Sequence, residues 1–329
     1  MMKAAILGAG FIAEFHAQGY RHAQDVQLCA VCDTDEGKAR ALAQRYGCAW
    51  YTDAKTLIEK ERPELVSVCL PTYLHREYTV MALMSGAHVL CEKPLALTME
   101  DCEAIAQAAE QTGRIVMTGQ VLRWWPEYAV IAGEIRRLGA PLCVQARRLQ
   151  HASRPDAWHL KQDLGGGALF DLFVHDMDFL LGLLGTDAEV ISADGSRGEG
   201  GSWRRVSAAL RFANGTHAFV QAGNQMPSGY PFTAELHAQY RGAAIDYRFR
   251  TAVNIGLDAK AETEFLLYDQ GRVTALSPHE DAQAQAFRDE IAAFVKGVRS
   301  GVSALPIEES IAVMRVIHRV KALLEAQEA

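Results

Sequence analysis

Gly8-Ala9-Gly10-Phe11-Ile12-Ala13 lies between a short apolar run, Ala4–Leu7, and a stretch of helical spacing that continues to Tyr20. The pattern is G-x-G-x-x-A. Gly8 permits a tight turn, Gly10 lets a pyrophosphate approach the main chain, and Ala13 lets the helix pack closely on the strand. The N-terminus of that helix offers N–H donors and a favourable dipole to an anion. Asp33 ends the next apolar run, Val26–Cys32, 23 residues beyond Gly10. An acidic side chain at that point accepts from the adenosine ribose of a dinucleotide. A tight turn followed by an unrelated surface Asp is the competing interpretation; the strand–turn–helix context favours the dinucleotide. The carboxylate would repel a 2′-phosphate, and Thr34 and Asp35 bring no arginine to hold one. The expected cofactor is therefore NAD rather than NADP, with Gly8, Gly10, Phe11, Ile12 and Asp33 in its site.

Outward from this stretch, short apolar runs alternate with helical patterns. Further strands are predicted at Ala49–Tyr51, Leu65–Leu70, His88–Cys91 and Ile115–Thr118. Helices are predicted at Asp35–Tyr46, from the Asp53 cap to Lys60, at His75–Ser85, and from the Thr98 cap to Gly113. Six strands with crossover helices predict an α/β doubly wound Rossmann domain over residues 1–121. Residues 122–329 change in character. Val206–Phe212, His217–Ala222, Phe232–Tyr240, Ala243–Phe249 and Glu264–Asp269 are strand-like, with Asn214-Gly215 and Gly271 at turns. Phe287, Ile291, Phe294 and Val298 recur at helical spacing, as do Ile307, Ile311, Met314 and Ile317. This half is predicted to be an α+β domain for substrate and oligomerisation, whose last helices are free to pack back on the first domain. Asp194–Ser202 is expected to be a mobile hairpin or loop.

Composition narrows the function classes. A length of 329 residues suggests two domains, and 49% apolar residues is ordinary for a globular chain. A net charge of −7 argues against nucleic acid and anionic membrane as partners. No apolar run reaches a membrane span of about 18 residues. The first strand is too short for a signal peptide and lacks a cleavage site, so a cytoplasmic location is expected. Seven cysteines, an odd number, argue against a disulfide framework. Cys29 and Cys32 form C-x-x-C, but on a strand that spacing points them to opposite faces, so they are expected to fill the core rather than share a metal.

Two motifs carry chemistry. Pro71-Thr72-Tyr73-Leu74-His75 and Glu92-Lys93-Pro94 each follow a predicted strand, at the carboxyl edge where doubly wound sheets bind ligands. Lys93 there can donate to an alkoxide or carbonyl oxygen and help carry the proton during hydride transfer. A charged turn is the plainer alternative. Further on, Gly165-Gly166-Gly167 leads into a predicted helix, Ala168–Asp178. Asp171 and His175 are i and i+4 on it, so a carboxylate would orient and charge a histidine general base. A structural His at a helix contact is the alternative. A metal held by Asp171, His175, Asp178 and His159 lacks the paired-histidine spacing of a zinc helix, and none is expected.

Taken in order, Gly8-x-Gly10, Asp33, Pro71-Thr72 with His75, Glu92-Lys93-Pro94, Arg123, Gly166-Gly167 and Asp171 with His175 resemble the glucose–fructose oxidoreductase and inositol dehydrogenase family. The Glu-Lys-Pro followed by Asp-x-x-x-His is the specific part. The resemblance implies a second domain with a large open, mostly antiparallel sheet, and a homodimer or homotetramer made through it. It implies that Pro71, Thr72, His75, Glu92 and Lys93 line the dinucleotide, and that Lys93, Asp171 and His175 surround the reacting carbon. His175 would be the general base, Asp171 its partner, and Lys93 the oxygen donor. The implied substrate is a small polyol or sugar, inositol-like or sugar-like. Where many relatives carry Asn-Arg-Arg after the sixth strand, this chain has Gln120-Val-Leu-Arg123-Trp124-Trp125-Pro126. Arg123 is thus open between a substrate contact and a structural role. Arg154, Trp158 and His159 are candidate pocket residues, or members of a plain surface loop. His16 is expected to be structural. A glycosidase using transient oxidation by NAD, or a non-enzymatic dinucleotide-binding regulator, are the competing functions.

Overall fold

The computed structural model describes residues 1–151, 157–251, 261–277 and 279–328. They form two compact units, Met1–Trp124 with Ala284–Ile311, and Trp125–Gln283 with Ala312–Ala329. The first therefore also takes in a segment from near the end of the chain.

The first unit holds β1 (Met2–Leu7), α1 (Phe11–His22), β2 (Val26–Cys32), α2 (Glu36–Tyr46), β3 (Ala49–Tyr51), α3 (Ala54–Glu61), β4 (Leu65–Val68), α4 (His75–Met84), β5 (His88–Glu92), α5 (Met99–Thr112) and β6 (Val116–Gly119). Their strands pair in parallel in the order β3-β2-β1-β4-β5-β6. Both faces are covered by helices, which is why these strands are near-continuous apolar runs. The predicted caps Asp53 and Thr98 form, accepting from Thr56 and Asp101 N–H groups; Asp35, the predicted first residue of its helix, is likewise the cap and accepts from Lys38 N–H, and Gly47 and Gly113 end their helices in the left-handed region. Late in the chain, Phe287 stacks on Phe15 of α1 with ring centres 4.7 Å apart. A Cβ on Gly19 would lie 2.5 Å from Ile291 Cγ1, so only glycine lets that helix approach α1 so closely.

The second unit begins with α6 (Pro126–Leu138), which has Pro126 in its first turn and buried Trp125 as its cap. It continues through β7 (Cys143–His151), α7 (Ala168–Asp171), α8 (Phe173–Leu184), β8 (Ala188–Arg197), β9 (Trp203–Phe212), β10 (His217–Met226), β11 (Phe232–Gln239), β12 (Ala243–Thr251), β13 (Ala261–Asp269) and β14 (Arg272–Ala275). The helices α9 (Ala282–Ser300) and α10 (Ile307–Ala326) close the chain. The sheet order is β14-β13-β12-β11-β7-β10-β9-β8, antiparallel except for the parallel pair β7 and β10. One face packs against α7 and α8.

Asp194–Ser202 falls at the hairpin of β8 and β9: Asp194–Arg197 is paired with β9, and only the turn beyond it is irregular. In His217–Ala222 one face is buried through Ala218, Val220 and Ala222, while His217 and Phe219 are exposed. One detail differs from the sequence prediction. The helix predicted over Ala168–Asp178 is interrupted at Leu172 (φ −107°, ψ −48°), which separates α7 from α8.

The sheet is locked to its helices by a buried ion pair. Arg148 on β7 donates from Nε and Nη2 to both oxygens of Asp176 on α8, at 3.1 and 2.8 Å, and from Nη2 to the Tyr128 hydroxyl at 3.1 Å. Both partners are almost without exposure. Asp176→Ala would leave the guanidinium buried and uncompensated. We expect it to lower the unfolding free energy by about 3–5 kcal/mol, read as a shift in urea midpoint. A shift of less than about 1 kcal/mol would show that Arg148 reaches water instead.

Candidate active site

The glycine loop is built by backbone crowding. Gly8 has φ +96°, and a Cβ on it would lie 2.2 Å from the Cys69 carbonyl oxygen. Gly8 N–H donates to Cys32 O at 2.7 Å, which ties the loop to the end of β2. Asp33 continues that tie: its carboxylate accepts from Ala9 N–H and Asp35 N–H, both at 2.8 Å. Gly10 is the N-cap of α1 and makes no side-chain cap bond. A Cβ on it would meet nothing within 4 Å. The helix thus starts with open space at Gly10, beside a carboxylate already fixed in place. This fits a dinucleotide, with its phosphates on α1 and its ribose at Asp33. Phe11 is exposed and Ile12 partly buried behind it.

Thr72–Leu74 is a single 3-10 turn after β4, with Thr72 buried and Pro71 partly exposed. His75 is buried, and its ring nitrogens lie 2.8 Å from the Pro94 and Leu70 carbonyls. Burial lowers its pKa, partly offset by those carbonyls. A neutral ring donates to one of them at a time, so His75 bonds either the Leu70 carbonyl after β4 or the Pro94 carbonyl after β5. Lys93 is partly exposed between buried Glu92 and Pro94, and its main-chain N–H donates to Glu92 Oε2 at 3.2 Å. Arg123 is paired with Glu309, Nη1 to Oε2 at 2.6 Å.

In the second unit the triple glycine is again a matter of contact. A Cβ on Gly165 would lie 2.3 Å from His159 Cα, and one on Gly167 (φ +73°) 2.4 Å from Trp203 O. Gly167 O then accepts from Asp171 N–H at 2.9 Å. Asp171 and His175 are the partly exposed positions in a run that is otherwise buried from Gly165 to Leu181. Trp158 is exposed, His159 is partly exposed, and their rings meet edge-on at 5.7 Å. Arg154 lies outside the described residues. Asp178 is fully buried. The sequence reading passed over Gly119, whose Cβ would lie 2.9 Å from Glu92 Oε1. A glycine ending a strand beside the Glu-Lys-Pro strand was the available signal. Burial raises the thiol pKa of Cys29 and Cys32 to about 11 each; Cys32 is a buried core residue, whereas Cys29 is partly exposed.

Residues 2–120 match the oxidoreductase family with an NAD-binding Rossmann fold, and residues 134–241 match the GFO/IDH/MocA C-terminal domain. The chain belongs to this family of oxidoreductases. The D-glucoside 3-dehydrogenase of Escherichia coli is 33% identical over 61% of this chain and 62% of its own length. The chain thus spans under two thirds of that relative. The myo-inositol 2-dehydrogenase of Thermotoga maritima is 25% identical over 91% of this chain and 89% of its own. In fold, the chain superposes with a TM-score of 0.85 on a 3-ketoreductase from Actinomadura kijaniata crystallised with NADP and TDP-benzene. That pair is 21% identical and the alignment covers 98% of each chain.

The two loop glycines make opposite demands, which can be separated. Gly8→Ala should destabilise the fold through the clash at Cys69 and the positive φ. Gly10→Ala should melt like the wild type, because its Cβ has room, yet place a methyl where the phosphates approach. Its NADH dissociation constant should rise about tenfold, or 1.4 kcal/mol, by fluorescence titration. Unchanged NADH binding in Gly10→Ala would remove the phosphate from this helix.

Proposed function

We propose that the protein transfers a hydride between NAD and a secondary alcohol or ketone of a small polyol or sugar. NAD supplies the hydride-accepting ring. The chain's own residues bind it, orient the substrate and move the proton. The observation that carries the reading is a coincidence of exposure: Lys93, Asp171 and His175 each stand partly exposed where their chain neighbours are buried. Buried positions suit apolar side chains, so polar groups kept at the accessible ones are available for chemistry. In the oxidation direction His175 accepts the alcohol proton, Asp171 orients the ring, and Lys93 donates to the oxygen as it becomes a carbonyl. Pro71, Thr72 and Glu92 belong to the same cofactor edge, while Arg123, Trp158 and His159 are the substrate candidates. The preference for NAD rests on Asp33, whose carboxylate repels a 2′-phosphate. Among the described residues no helix is long and apolar enough to cross a membrane.

The test is NADH formation on a panel of inositols, glucosides and sugar alcohols, run in parallel with NADP. At least one polyol or sugar should be turned over, with a higher kcat/KM for NAD, and Asp33→Ser should narrow that gap. Lys93→Met should lower kcat by about 10²-fold or more, with NADH binding kept. Near-normal turnover in that variant would make Lys93 an ordinary turn residue. Product without net NADH, from a cofactor that stays bound, would instead indicate a glycosidase.

The second sheet's open face suggests the oligomer. It carries exposed Phe219 among polar contacts: the ion pairs of Arg147 with Glu235 and of Arg248 Nε with Glu235 Oε1 at 2.9 Å, and the hydrogen bond of His237 with Asp246 at 2.8 Å. A second copy of the chain covers this face in our reading, giving a homodimer or homotetramer. Light scattering should give a multiple of the chain mass, and Phe219→Glu should return it to the monomer. A monomeric wild type at micromolar concentration would rule this out.

A further inference from the structure

Beneath the Lys93 turn runs a chain of buried polar side chains, all within the first unit. Tyr20, His16 and Ser67 are fully buried and Glu92 nearly so. The Tyr20 hydroxyl is 2.8 Å from Ser67 Oγ, Ser67 Oγ is 2.9 Å from His16 Nδ1, and His16 Nε2 is 2.8 Å from Glu92 Oε1. The other oxygen, Glu92 Oε2, accepts from Lys93 N–H. Glu290 adds a second buried carboxylate, and the donor atoms of His16, Glu92 and Glu290 all lie within 4.8 Å of one another.

The chemistry of the groups gives the chain one direction. A main-chain N–H can only donate and a carboxylate can only accept. With His16 Nε2–H donating to Glu92, Nδ1 of a neutral ring is an acceptor. Ser67 then donates to Nδ1, and Tyr20 donates to Ser67. Burial pushes the Tyr20 phenol well above its usual pKa, which keeps the proton on it. Every bond is satisfied in this sense, from Tyr20 to Lys93. A metal ion among the same three donors fits less well. Two tetrahedral ligands at about 2.0 Å stand about 3.3 Å apart, whereas His16 and Glu92 are at hydrogen-bond distance.

We propose that Glu92 is a positioning residue for Lys93, and that the Tyr20–Ser67–His16 chain holds its carboxylate in place. The inference rests on the reading of Lys93 as catalytic. His16 lies on α1, whose N-terminus faces the open space at Gly10. One hydrogen-bond chain therefore ties the helix that takes the pyrophosphate to the turn that presents the lysine. Such ties matter because transfer geometry tolerates errors of only about 0.5 Å. Gly119 is part of the device: any side chain there would displace the Glu92 carboxylate.

The test uses the full chain with two variants, Glu92→Gln and Gly119→Ala, each alone and combined with Lys93→Met. Exchange of the Lys93 amide proton, read in protein labelled with 15N-lysine, should speed up about tenfold in Glu92→Gln. The direction of the chain keeps the proton on His16 Nε2, so the Gln oxygen stays with His16 and its NH2 faces Lys93 N–H, whose bond is lost. On myo-inositol or methyl glucoside, whichever the panel shows to be turned over, kcat should fall at least tenfold, with the KM for that substrate within about twofold. In the Lys93→Met background neither variant should lower kcat further, because a positioning residue acts through the group it positions. If Glu92→Gln fails to fold, Gly119→Ala, which changes no charge, carries the same expectations at smaller amplitude. Unchanged amide exchange in folded variants would overturn the proposal. So would losses that multiply with Lys93→Met, or a stoichiometric metal that Glu92→Gln releases. Wild-type turnover in Lys93→Met would instead overturn the role of Lys93. Loss in Lys93→Met with wild-type exchange and turnover in both other variants would overturn only the inference about Glu92.

Discussion

The pass of the main chain at Gly8 against the Cys69 carbonyl governs the upper edge of the first sheet. Leu7 and Val68 are register partners there, at the point where strand order turns from β2 on one side of β1 to β4 on the other. Chain departs from both strands at this point, one branch into α1 and the other toward Thr72 and His75. Because Gly8 has no side chain, the main chains of the two branches stay in contact where they leave the sheet. The open space at Gly10 and the fixed carboxylate of Asp33 both follow from that contact. So does the neighbouring position of β5, whose last residue, Glu92, leads into Lys93.

Much of the first unit could be read from the sequence because its strands are buried on both faces. Val26–Cys32 and Ala49–Tyr51 agree with the structure residue for residue, and the caps Asp35, Asp53 and Thr98 announce their helices through local chemistry. The second unit was harder for a physical reason. The strand β7 carries two arginines, and its inward one, Arg148, is neutralised by Asp176, a partner 28 positions away that no local pattern reveals. The end of β8 is Asp-Gly-Ser-Arg, turn-like in composition, yet its pairing with β9 holds it extended.

The site was legible in its residue types more than in its geometry. Asp171 and His175 look like one helical face, but the backbone breaks at Leu172 without a glycine or proline to signal it. What the two share is partial exposure in a buried run, a property set by packing. His75 carries a motif that suggests contact with a dinucleotide, and the structure gives both its ring nitrogens to main-chain carbonyls. His16 was expected to be structural on its position alone. Its partners Ser67 and Glu92 sit on strands that follow it by 51 and 76 residues, so their bonds emerge only from the folded chain.

The stacking of Phe287 on Phe15 and the approach of Ile291 to Gly19 bear on how the chain is made. A ribosome releases the N-terminal sheet first, and domains generally fold as they emerge. Here the outer face of α1 lacks its cover until residues beyond 284 have been synthesised. This early stretch of the chain is thus sealed late. During that interval it presents Phe15 and the small residues around it to water and to chaperones.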